Sequence, residues 1–89
     1  MNFLHYEFDL PADAVVEATL DKQANVRLMD DDNFALYQKG HRHRYFGGLA
    51  KESPVTIAAP HAGHWHLVID LGGYPGTVRG SARVLQEAG

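Results

Sequence analysis

Eighty-nine residues, 45% of them hydrophobic and nine aromatic, suit one small globular domain over residues 1–89 and argue against a disordered chain. A formal net charge of -3 argues against a general nucleic-acid binder, and the lack of cysteine excludes a disulfide framework and a thiol nucleophile. No apolar run approaches the ~20 residues of a membrane span and the first residues lack a signal-peptide pattern, so the expected setting is a reducing cytoplasm with no membrane partner.

The charge is uneven. Residues 1–40 carry eight acidic and three basic side chains, whereas residues 41–89 carry three acidic and five basic ones. Leu4, Tyr6, Phe8 and Leu10 alternate with His5, Glu7 and Asp9, which predicts a first strand. Pro11-Ala12-Asp13 is a turn signal. Residues 15–20 read as a second strand with Val16, Ala18 and Leu20 on one face. The polar residues 21–23 suit a hairpin loop into a third strand, 24–29, with Ala24, Val26 and Leu28 inward. Arg27 then faces outward, within reach of Glu17 on the neighbouring strand.

Asp30-Asp31-Asp32-Asn33 breaks the alternation. The triplet has the charge of a calcium loop but not the EF-hand spacing or its closing Glu. Asp and Asn are favoured helix N-caps, and negative charge suits a helix N-terminus, so residues 32–39 are expected to form one or two helical turns ending at Gly40. The alternative is an irregular strand through Phe34, Leu36 and Gln38.

Residues 41–46 are basic, histidine-rich and aromatic at once. If extended, they place His41, His43 and Tyr45 on one face and Arg42, Arg44 and Phe46 on the other. Gly47-Gly48 reads as a bend or a close backbone approach, 51–53 as exposed loop, and Pro54 as the start of a strand through Val55, Ile57 and Ala59. Pro60-His61-Ala62-Gly63 turns into the most hydrophobic stretch, residues 63–73. As a strand it puts Trp65, Leu67, Ile69 and Leu71 on a core face and His64, His66, Val68 and Asp70 on a wet one. After the glycine-rich turn at 72–76, residues 77–85 form the last strand. Its inner row is Val78, Gly80, Ala82 and Val84, with small residues leaving room for Trp65. Residues 86–89 read as a frayed tail.

Six to seven short strands, turns about every ten residues and one short helical turn predict an all-β fold, a small antiparallel β-sandwich of jelly-roll type. Three stretches, Ala24-Asn25-Val26-Arg27-Leu28-Met29-Asp30, His43-Arg44-Tyr45-Phe46-Gly47-Gly48 and 63–73, together with Asn2-Phe3-Leu4-His5-Tyr6, resemble a bacterial family of about ninety-residue proteins described as a domain of unknown function. The resemblance spans nearly the whole chain. It implies a β-sandwich found alone or appended to TIR signalling domains, and hence a sensing or recognition role, but no catalytic residues.

Two clusters carry chemistry. Arg42, His43, Arg44 and Tyr45, with His64 and His66, form the expected ligand-binding set: arginine forks suit phosphate or carboxylate and tyrosine offers a stacking face. A nucleotide, an anionic sugar or an acidic partner segment would fit. The competing reading is a solvated loop whose arginines pair with Asp30, Asp31 and Asp32. The alternative site is mononuclear metal on His64, His66 and Asp70, whose spacing resembles the first cupin motif but with Asp for Glu and no later histidine, so that a missing ligand would have to come from His41, His43, His5 or His61. No cofactor is expected on the primary reading. Ser53 and Ser81 lack a nucleophile-elbow context, and the 72–76 turn lacks the Lys-Ser/Thr of a phosphate loop, which argues against an enzyme of either type. A third reading is a structural oligomerisation module, a homodimer using sheet edges and outward Phe3, Val15 and Val68.

Overall fold

The computed structural model describes residues 3–85. Strands β1 (Phe3–Leu10), β2 (Val15–Leu20) and β3 (Ala24–Met29) are followed by helix α1 (Asp31–Gln38). Strands β4 (Phe46–Ala50), β5 (Val55–Ala58), β6 (Gly63–Asp70) and β7 (Gly80–Leu85) complete the fold. They build two antiparallel sheets, β1-β6-β3-β4 and β5-β2-β7. The chain is therefore a small all-β sandwich of seven described strands with one short helix, as the alternation predicts. The expected tail at 86–89 lies outside the described residues.

The core sits between the sheets. Val26, Leu28, Trp65, Leu67 and Ile69 of the first sheet meet Val16, Ala18 and Leu20 of the second. Each large apolar side chain removed from water contributes roughly 1.5–3 kcal/mol. Trp65 is the largest, 2% exposed, and its indole N–H donates to the His61 carbonyl at 3.1 Å. Leu4, Tyr6 and Phe8 close the β1 side, where the Tyr6 hydroxyl donates to the Gly80 carbonyl at 2.9 Å.

Several local expectations change. Residues 21–23 do not close a hairpin, because β2 and β3 belong to different sheets and the loop crosses the end of the sandwich. Asp21 anchors the crossing: its carboxylate accepts from the Arg79 N–H at 2.8 Å. In consequence Glu17 pairs with Arg83 of β7 at 3.0 Å, not with Arg27. Gly47 and Gly48 lie within β4 instead of forming a bend, and residues 41–45 form no strand. A Cβ on Gly47, whose φ is +110°, would collide with the Val26 carbonyl oxygen of the neighbouring strand β3 and with Ile57 Cδ1 of the facing sheet, so no side chain fits there. The last strand begins at Gly80, and Val84 is 38% exposed. Gly80 makes room for Leu20 and Ile69, not Trp65.

The largest change concerns the outer face of β6. Phe34 and Tyr37 of α1 pack down on Val68, Met29 and Phe3 as a second, smaller core. His66 is 5% exposed and Val68 and Asp70 are 0% exposed, so the face expected to be wet is dry over most of its length. Phe3 and Val68 are covered by the helix and do not form the outward patch expected of them.

Candidate functional site

Helix α1 positions everything on this face. Asp30 is its N-cap, accepting from the Asn33 N–H at 2.9 Å and from Asn33 Nδ2 at 2.8 Å. The helix runs from Asp31 to Gln38 with Lys39 as C-cap, one residue earlier than 32–39. The three-residue spacing of Phe34 and Tyr37 aims both rings at the sheet. Asn33 Oδ1 accepts from the Arg44 N–H at 2.7 Å and so ties the segment after the helix to its first turn.

Three constellations surround the helix. The first is centred on Asp70. Its Oδ1 accepts from Asn25 Nδ2 at 3.0 Å and the Gly72 N–H at 2.8 Å, and its Oδ2 from Arg27 at 3.0 Å and the Tyr37 hydroxyl at 2.7 Å. Burial pushes its pKa up, but the hydrogen bonds from Asn25, Tyr37 and Gly72 and the charge of Arg27 outweigh it and hold the carboxyl below its ordinary value. Burial and the same contact push the Tyr37 phenol well up. With both oxygens filled, Asp70 locks β3, β6 and α1 together and stands apart from His64 and His66.

The second constellation is a row of imidazoles and carboxylates where β1 and β6 pair. The register sets Glu7 opposite His66 and Asp9 opposite His64. His64 Nδ1 lies 2.7 Å from Asp9 Oδ1 and Nε2 lies 3.1 Å from Glu7 Oε1. Both nitrogens therefore donate, and hydrogen bonds from the two carboxylates push the His64 pKa up to about 9. The contact with His64 lowers the Glu7 pKa in turn. His66 Nε2 donates to Asp31 Oδ1 at 2.5 Å, while its Nδ1 faces His5 Nε2 at 2.8 Å. Burial and the neighbouring His66 lower the His5 pKa. The Phe34 ring stacks on both imidazoles, at 4.2 Å from His5 and 4.3 Å from His66.

The third is a groove of about 600 Å³ between the start of α1 and β4, lined by Asp30, Asn33, His43, Arg44, Tyr45, Phe46, His61, Trp65 and Met29. Tyr45 is 41% and Phe46 48% exposed. The Arg27 guanidinium sits over the Tyr45 ring at 4.9 Å, so one arginine links the groove to Asp70. His43 packs edge-on against Tyr37 and beside Tyr45, and its Nδ1 donates to the His41 carbonyl at 3.0 Å. Among the described residues neither Arg42 nor Arg44 forms an ion pair, with Asp30, Asp31, Asp32 or any other carboxylate.

The family model described as Domain of unknown function (DUF1883) matches residues 1–88. The chain belongs to the DUF1883 family. No curated protein and no solved structure matches it. What this DUF1883 domain brings together is His43, Arg44 and Tyr45 in the groove; Arg42 is exposed outside its lining. His64 and His66 fall in the separate imidazole row. Sequence reasoning missed Glu7, Asp9 and Asp31 as members of that row and offered His5 as one of four histidines able to complete a metal set. The alternation placed residues 5, 7 and 9 on one face, but the strand register that sets them against His64 and His66 is a long-range pairing. No helix of the described residues is long and apolar enough to cross a membrane.

Proposed function

We propose that this DUF1883 domain is a recognition module that binds a small anionic ligand carrying a planar ring, a nucleotide being the best-matched probe. The observation that supports it is the exposure of Tyr45 and Phe46 beside the guanidinium of Arg44, which forms no ion pair among the described residues, on a groove also lined by Trp65. Exposed aromatic faces next to a planar cationic fork suit stacking on a ring together with bidentate contact to phosphate or carboxylate. Arg42, on the same segment, adds positive charge at the rim. Asp30 also lines the groove, but its carboxylate is occupied in capping α1. A place beside signalling domains, implied by the family resemblance, suits a sensing role.

Titration calorimetry with nucleoside monophosphates and anionic sugars tests this reading. The expected result is saturable binding that falls at least about tenfold in an Arg42→Ala/Arg44→Ala variant, a loss of one charge-assisted contact or more. Absence of binding to every anion, or equal binding by the variant, contradicts it.

A further inference from the structure

We propose that Asp31, His64 and His66 form a binding site for one divalent transition-metal ion, separate from the groove. One ligand atom from each of these side chains lies within 4.8 Å of the others. Ligand atoms about 2.1 Å from a tetrahedral ion sit roughly 3.4 Å apart, so Asp31 Oδ1, at 2.5 Å from His66 Nε2, has to draw back from it while His64 turns inward. The mobile partners are available for it: the Asp31 side chain is 67% exposed and that of His64 38%, whereas that of His66 is 7% exposed and fixed beneath Phe34.

The groups around these three side chains already hold the imidazoles from behind. A metal-bound imidazole characteristically donates its other ring N–H to a carboxylate or another acceptor, which fixes tautomer and orientation. His64 Nδ1 already donates to Asp9, which leaves Nε2 as the metal-facing atom. His66 Nε2 faces Asp31, and its Nδ1 is backed by His5 Nε2. On metal binding His64 loses its Nε2 proton to solvent. His66 binds through Nε2 with a ring proton on Nδ1, where it donates to His5 Nε2, and His5 carries its own proton on Nδ1. Glu7 Oε1, 3.1 Å from His64 Nε2, adds negative charge beside the fourth position.

A second grouping, His5, Glu7 and His66, shares one histidine with this one. It is the weaker candidate, because the His5 and His66 nitrogens are spent on each other within stacked, nearly coplanar rings. Charge also points to a cation. Glu7, Asp9 and Asp31 converge here, and among the described residues no lysine or arginine pairs with any of them. Two imidazoles and a carboxylate with an open position suit Zn²⁺, Fe²⁺, Co²⁺ or Ni²⁺ over Ca²⁺ or Mg²⁺.

The test is calorimetric titration of the full chain, without an affinity tag, with Zn²⁺. It is paired with proton-detected ¹⁵N spectra of the histidine rings. One equivalent is expected to bind, with His64 and His66 Nε2 shifting to metal-bound values while neither His5 nitrogen does. His64→Ala and Asp31→Asn, both at accessible positions and checked for an unchanged fold by circular dichroism, are expected to weaken binding at least about 100-fold. His5→Ala is expected to weaken it about 10- to 100-fold, as loss of the group that orients a ligating imidazole does. No stoichiometric binding, full affinity in His64→Ala, or a metal-bound shift at His5 instead of His64 overturns the proposal. The Arg42→Ala/Arg44→Ala variant is expected to bind Zn²⁺ normally, so failure of the groove reading and failure of this one are separable.

Discussion

The Phe34 ring lies flat against the His66 imidazole, with centroids 4.3 Å apart and planes 7° apart. This contact converts an outward strand face into a buried one. It holds α1 on the sheet and presses His66 toward Asp31 and His5. Phe34→Ala removes the ring from a site 8% exposed and should destabilise the domain by about 3 kcal/mol, the usual range for a buried phenylalanine. Phe34→Leu should cost about 1 kcal/mol. Urea denaturation measures both; a loss below 1 kcal/mol for the alanine variant would show that α1 is not held by this ring.

Asp70 makes the fold acid-sensitive. Its folded-state pKa lies below the ordinary carboxylate value. The stability it supplies is therefore complete above the unfolded pKa of about 4 and is lost as pH falls through the lower folded-state value. Asp70→Asn should cost about 3 kcal/mol at pH 7, because Arg27 and Tyr37 lose a buried anionic partner. The gap between the two proteins should narrow as pH falls below about 4. Denaturation curves at neutral and acid pH check this, and a gap that stays constant would contradict it.

Gly47→Ala should destabilise by about 2 kcal/mol or more, since its Cβ meets the β3 backbone and its φ is positive. Gly48→Ala, where nothing lies within 4 Å of the new Cβ, should cost only the strain of its backbone conformation. Thermal melts of the pair measure the difference. Equal effects would mean that the β3 backbone and Ile57 do not crowd the Gly47 position.

Arg42→Ala/Arg44→Ala should leave stability within about 0.5 kcal/mol of the parent, because both side chains are exposed and without an ion pair among the described residues. A large loss would assign them a structural role instead of a binding one.

Much of the sandwich was legible because its inner rows obey a period of two. Leu4 to Leu10, Val16 to Leu20 and Trp65 to Ile69 all face the core as the alternation requires. The helix was legible in the acidic run at 30–32, where the Asp30 side chain caps it by accepting from the Asn33 N–H. What could not be read was which sheet each strand joins. Local pattern places Arg27 and Glu17 on outward faces, but only the topology sends one to Asp70 and the other to Arg83. The same limit hid the imidazole row, whose members come from β1, α1 and β6. His66 and Val68 read as solvent-facing because alternation reports two faces and not whether a helix covers the second. The segment at 41–46 was recognisable by composition; its groove depends on Asn33 holding the Arg44 backbone.

The central claim is that the groove between α1 and β4 is the recognition surface. Amide chemical shifts recorded while AMP is titrated into the ¹⁵N-labelled chain test it directly. Saturable shifts are expected to concentrate at residues 43–46 and 61 and at the Trp65 indole N–H, with β7 unmoved. Shifts scattered over the surface, or confined to the β2-β5-β7 sheet, would contradict it.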